Sequence, residues 1–219
     1  MPIEYYKIFA WLPKVEGKMT ARGYIPCYIL DANGRRTGKT CNYRGEGYDA
    51  SRLDPIGVSG VTIGVGVDLG QQRHDQLRKW GCSDALMCKI GRYIGKADKA
   101  AVLALQDHPL TLSDEDVQAL TRAEHRGYMD DVVAPQWDYR YGAKGRFADL
   151  PWQAQCVIFS LVYQLGWAGL RRRGEHTLDA LTKHEWRRAV ANLKSGARGW
   201  AGEYYERRAQ EGELLSEVL

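Results

Sequence analysis

The sequence predicts an α+β fold, mainly α-helical. A small β-hairpin or sheet lobe over residues 20–72 packs against a larger helical lobe made of 1–19 and 73–219. Three observations carry this expectation. Val61 to Asp68 alternates strictly, with apolar Val61, Ile63, Val65 and Val67 between Thr62, Gly64, Gly66 and Asp68. Period-two alternation marks a half-buried strand. Asn33-Gly34 sits between two strand-like runs, the strongest short hairpin signal. Residues 150–165 are apolar nearly all round, as in a central buried helix.

The elements follow in order. Residues 4–19 read as a first helix broken near Pro13, because proline removes a helix hydrogen bond. Tyr24 to Leu30 is strand-like, Asp31 to Gly34 is a turn, and Arg35 to Tyr43 returns antiparallel. A hairpin closed at Asn33-Gly34 sets Cys27 opposite Thr40, next to Cys41. Residues 44–60, rich in Gly and Pro, read as a loop at the mouth of a cleft. The glycine strand is then the third member of a small sheet. From Arg73 the period turns helical, with a break at Gly81 and Ser83 as an N-cap. Lys96 to Gln106 is a further helix, and Ser113 caps one that runs to about Val133 with acids in its first turn. Pro135 and Gly142 to Gly145 mark a connection. Thr177 caps a short helix over 178–183, another spans 185–194, and Tyr204 to Leu219 closes the chain.

All 219 residues read as one domain with two lobes. No apolar run nears the roughly 20 residues needed to cross a bilayer, and Met1 to Trp11 has no signal-peptide core. A net charge of +4 suits an anionic polymer, although a soluble surface explains it equally well. Five cysteines without a C-x-x-C pair argue against a structural zinc site, and a reduced chain is expected because no export signal is read. The five histidines include no H-x-x-x-H pair, and neither a G-x-S-x-G nor a phosphate-binding loop occurs. No metal or organic cofactor is expected.

The alternating segment is unusual for a strand because two of its polar-face positions are glycine. A structural edge strand fills such positions with Thr or Val. Bare glycines mark a bend, or a floor that a ligand approaches.

Gly60-Val61-Thr62-Ile63, with Gly66 and Asp68-Leu69-Gly70-Gln71 behind it, follows an upstream Glu16-Gly17 pair. This order resembles the pesticin-like muramidases, relatives of the phage-type lysozymes. Leu150 to Gly166 is similar to their central buried helix, and Arg207-Arg208 with Glu211 to their closing helix. The resemblance spans residues 15 to about 215. It implies a lysozyme-like fold and hydrolysis of the β-1,4 bond between N-acetylmuramic acid and N-acetylglucosamine in peptidoglycan.

Glycoside hydrolysis needs an acid for the leaving oxygen and a second group on the other sugar face. By the resemblance, Glu16 is the acid, beside apolar Trp11, Leu12 and Val15. Thr62 holds the attacking water, and Asp68 polarises it or stabilises charge on the sugar. Six strand residues span about 20 Å if straight, so Thr62 and Asp68 serve one carbon only if the chain bends at Gly64 and Gly66. Capping of a helix near Leu69 is the competing role for Asp68. Asp31, Asp49, Asp54 and Glu46 lie between Glu16 and Thr62 and compete for the aspartate role. Gly64, Gly66, Gln71, Tyr163 and Gln164 are candidate sugar contacts. The expected protein is a monomeric phage endolysin without nucleic-acid partners or stable membrane insertion. It is made without a signal peptide and acts on the wall after another protein opens the membrane. A bacteriocin or secreted effector of the same activity is the alternative; it needs receptor-binding or translocation segments not seen here. An inactive wall-binding module is the non-enzyme alternative.

Overall fold

The longest strand, β1 (Thr20–Leu30), organises an antiparallel sheet because both of its edges are used. The computed structural model that shows this describes residues 2–195 and 205–219. On one edge β1 pairs with β2 (Arg36–Tyr43). On the other it pairs with β3 (Leu53–Pro55) and with β4 (Thr62–Gly64), and β4 carries β5 (Val67–Asp68). The segment 44–60 is therefore not all loop: it forms a 3-10 turn, Ala50–Arg52, and then β3.

The β1–β2 register differs from that of a two-residue loop. Cys27 faces Cys41, and Thr40 faces Tyr28. Between the Leu30–Arg36 and Tyr28–Thr40 pairs, β1 advances two residues and β2 four. This is a bulge, and Gly38 within it has φ +79°, which favours glycine. The loop is closed by Asp31, whose Oδ1 accepts the amides of Asn33 and Arg35 at 2.8 and 2.9 Å. Cys27 and Cys41 are both free thiols, and burial pushes the Cys27 thiol up to about 12.

The chain divides into two compact units, Glu16–Arg126 and Met1–Val15 with Gly127–Leu219. The unit that carries the sheet thus continues past Gln72. It adds α3 (His74–Lys79), α4 (Asp84–Ile90), α5 (Asp98–Asp107) and most of α6 (Asp114–Tyr128). Ser83 Oγ accepts the Leu86 amide and Ser113 Oγ the Asp116 amide, so both predicted caps form. Ile25, Ile63, Val67, Leu69, Leu77, Ile90 and Leu105 are fully buried in its core. Each such side chain contributes about 1.5–3 kcal/mol by leaving water.

The other unit is helical: α1 (Tyr5–Trp11), α2 (Pro13–Glu16, whose last residue counts with the sheet), α7 (Ala134–Tyr141), α8 (Trp152–Arg173), α9 (Glu175–Thr182), α10 (Trp186–Lys194) and α11 (Tyr205–Ser216). The helix expected to end near Val133 instead passes through a π-helical stretch, Met129–Val133, into α7. Pro135 is tolerated because it falls in the first turn of α7. α8 is buried from Ala154 to Val162 and kinks at Gly166, whose φ is +63°. Thr177 lies inside α9 rather than capping it, and Tyr204 lies outside the described residues. α11 is keyed to α8 by a buried network, in which Arg208 Nη2 and Ser160 Oγ both donate to Glu211 Oε1. No helix among the described residues is long and apolar enough to cross a membrane.

Candidate active site

The glycine-rich segment folds back on itself. Gly64 and Gly66 have φ of +67° and +74°, conformations that side-chain-bearing residues rarely adopt. They make a tight turn around Val65, and the single strand expected from the alternation becomes the β4–β5 hairpin. Ile63 faces Val67, and Thr62 faces Asp68. The roughly 20 Å of a straight strand thus reduces to one cross-strand spacing of about 5 Å. The apolar positions are buried as expected, Val61, Ile63, Val65 and Val67 all 2% exposed or less, but Thr62 and Gly64 between them are buried too. Its glycines serve the turn and a close approach. A Cβ on Gly64 would sit 2.3 Å from Thr121 Oγ1 on α6.

The row extends across the sheet. β1 pairs Tyr24 with Thr62, and β2 pairs Tyr43 with Ile25, so Arg44, next after Tyr43, falls beside Tyr24. Laterally paired residues share a face. Arg44, Tyr24, Thr62 and Asp68 therefore stand side by side on the face opposite buried Ile25, Ile63 and Val67. The Arg44 guanidinium lies over the Tyr24 ring, 5.5 Å from its centroid, and Arg44 Nη1 donates to the Arg22 carbonyl at 2.8 Å.

Asp68 is half-buried and held by backbone. Its Oδ1 accepts the Gly70 amide at 2.8 Å, and the Gly60 amide reaches Oδ1 and Oδ2 at 3.1 and 3.2 Å. It caps the 3-10 turn Leu69–Gln71, so the capping role expected as a competitor is present. A carboxylate offers about four acceptor positions, so capping orients the group without using all of it. Burial raises the Asp68 pKa, outweighing the amides of Gly60, Gly70 and Gln71 that lower it. The geometry depends on two glycines passing closely: a Cβ on Gly60 would meet the Gly70 backbone at 2.5 Å, and one on Gly70 the Lys96 carbonyl at 2.5 Å.

Glu16 is the last residue of α2, and Gly17 at φ +91° ends the helix, which explains the Glu-Gly pair. Glu16 is half-buried; Trp11 and Leu12 of the predicted apolar surround turn into the core of their own unit. Its charge is felt at the row. The Tyr24 hydroxyl has its pKa raised by burial, then by the charge of Glu16, and also by Asp68, against the opposing charge of Arg44. Tyr24 and Arg44 were missed in the sequence because no local signal assigns them to this row; it follows from the register.

The competing carboxylates are engaged elsewhere. Asp31 closes the hairpin loop, Asp49 caps Ser51, Asp54 accepts from Arg36 Nε at 2.7 Å, and Glu46 pairs with Arg22. Gln71 is exposed, and its Nε2 donates to the Val58 carbonyl at 2.8 Å. Tyr163 and Gln164 belong to the helical unit. Tyr163 stacks on Phe159, and Gln164 Oε1 accepts from Arg208 at 2.8 Å. Among the described residues no three or more His, Cys, Asp or Glu cluster as metal ligands.

The hairpin turn is braced from behind. His125 Nε2 lies 3.0 Å from the Val65 carbonyl and 3.8 Å from Glu124 Oε2, while Gln72 Nε2 donates to Glu124 Oε1. His125 is 1% exposed, and burial lowers its pKa from 6.5 to about 4. The unfolded chain takes up this proton near pH 6.5 and the folded chain only near pH 4. Stability present above pH 6.5 is therefore lost as pH falls toward 4, by about 3 kcal/mol. The Tm of the native chain should fall more steeply over that window than the Tm of His125→Gln; equal slopes would remove His125 as the cause.

The family model Pesticin, described as a bacterial toxin homologue of phage lysozyme (C-terminal part), matches residues 37–187, about two thirds of the chain. The match includes Arg44, Thr62, Asp68, Tyr163 and Gln164, while Glu16 and Tyr24 precede it. No curated protein matches the chain.

Proposed function

From the premise that the chain belongs to the Pesticin family, and so is related to phage lysozyme, we propose that it is a muramidase acting on the β-1,4 bond between N-acetylmuramic acid and N-acetylglucosamine. The observation that carries this reading is the pairing of Thr62 with Asp68 in a row whose Tyr24 hydroxyl feels the charges of both Asp68 and Glu16. An acid and a water-holding pair can then act on one bond. Glu16 protonates the leaving oxygen. Thr62 accepts and donates hydrogen bonds to a water, and Asp68 takes that water's proton as it attacks. The amides on Asp68 hold the carboxylate still, so little reorganisation accompanies the reaction. Gly66 and Gln71 remain candidate sugar contacts, and the protein acts on the wall as a monomer, without a cofactor.

Thr62 has no adjacent base to make it a nucleophile, whereas a water beside it attacks directly. Inversion follows, with the α-anomer as first product. Proton NMR of a fresh peptidoglycan digest, read before mutarotation, tests this, and a β-anomer appearing first would point to a carboxylate nucleophile. Absence of new reducing ends with purified protein would reject the muramidase assignment itself. We favour a phage endolysin; the description of the family as a bacterial toxin homologue supports a bacteriocin or antibacterial effector as the second reading. The two share this chemistry.

A further inference from the structure

We propose that Arg44, laid over the Tyr24 ring, binds a carboxylate of the lactyl-peptide substituent of muramic acid, so that the site distinguishes the charged sugar of peptidoglycan from its uncharged neighbour. This rests on the muramidase reading and extends it to substrate selection.

Three observations support it. Arg44 ends the row that Tyr24, Thr62 and Asp68 continue, so its charge lies on the face where the sugar chain would run. Its contacts among the described residues are a carbonyl and an aromatic ring, neither of which carries a charge. The neighbouring Arg22, by contrast, is neutralised by Glu46. Finally, the guanidinium is held in place: the Arg22 carbonyl and the Tyr24 ring restrict it before any ligand arrives, which lowers the ordering cost of binding.

The chemistry selects the ligand. Peptidoglycan alternates N-acetylglucosamine, which is uncharged, with muramic acid, whose lactyl group carries a free carboxylate or an acidic peptide. A planar guanidinium offers two parallel N–H donors to a carboxylate, a match that an ammonium does not reproduce. Asp68, at the other end of the row, would repel the same substituent. A carboxylate is therefore favoured at the Arg44 end and disfavoured at the Asp68 end, and this polarity sets which way the alternating chain lies across the row.

The test is binding to insoluble peptidoglycan sacculi, native and with carboxylates converted to amides by carbodiimide and ammonia. It compares chains carrying Arg44, Arg44→Gln and Arg44→Lys, all in the Glu16→Gln background so that turnover does not intervene. A charge-assisted pair predicts that Arg44→Gln weakens binding to native sacculi about tenfold or more. Arg44→Lys should fall between. On amidated sacculi all three should bind alike. Equal weakening by Arg44→Gln on both kinds of sacculi would overturn the proposal and reduce Arg44 to a prop for Tyr24. So would a native Arg44 chain that binds amidated and native sacculi equally. Carboxylate discrimination by a Glu16-containing chain that cleaves neither would reject the muramidase reading alone. Cleavage without discrimination would reject the role of Arg44 alone.

Discussion

Glu16→Gln is expected to reduce peptidoglycan cleavage by about 100- to 10,000-fold, the range that a positioned general acid supplies. Glutamine has the shape of the protonated acid but no proton to transfer. Glu16 ends α2 just before Gly17 turns the chain at φ +91°, so the substitution falls at a helix terminus rather than in a helix interior. The Tm should hold or rise while activity falls. The Tyr24 hydroxyl provides an independent readout. It feels the Glu16 charge, so its pKa, followed by ultraviolet titration, should drop when that charge is removed. Retained lysis by Glu16→Gln would remove the central claim, and an unmoved Tyr24 titration would place Glu16 away from the row.

Asp68→Asn should cost about 100-fold or more in rate, while Asp49→Asn and Asp54→Asn should change it by no more than about threefold, as surface substitutions usually do. Asparagine keeps one side-chain oxygen to accept the Gly60 and Gly70 amides, so the hairpin should still form. Asp49 and Asp54 are committed to Ser51 and Arg36. The pH profile sharpens the test. Burial holds the Asp68 pKa above the usual carboxylate value, so the acid limb of the rate should fall at higher pH than an exposed aspartate would give. The Asp49 carboxyl is held lower by Ser51, so a limb reporting it would lie below the ordinary range. If Asp49→Asn were inactive and Asp68→Asn active, the aspartate assignment would be reversed.

Much of this architecture was legible in the residue order. The buried helix α8 announces itself by apolar positions on every side, and Ser83 and Ser113 announce helix starts, because hydrophobic period and capping are local properties. The glycine-rich segment drew attention to the candidate site for a similar reason, since glycine placement records where the backbone must turn or approach closely; the Glu-Gly pair stood out only through the family resemblance. The order of these motifs also pointed to the family that the match over residues 37–187 shows. What the sequence could not determine was register. A period-two apolar pattern is the same for a straight strand and for a hairpin that reverses at Gly64 and Gly66, so only the fold distinguished a separation of about 20 Å between Thr62 and Asp68 from a direct pairing. The bulge at Gly38 likewise shifted Cys27 from Thr40 to Cys41, and that register places Arg44 beside Tyr24. Local chemistry was readable along the chain; which residues stand in one row was decided by long-range hydrogen bonds between strands distant in sequence.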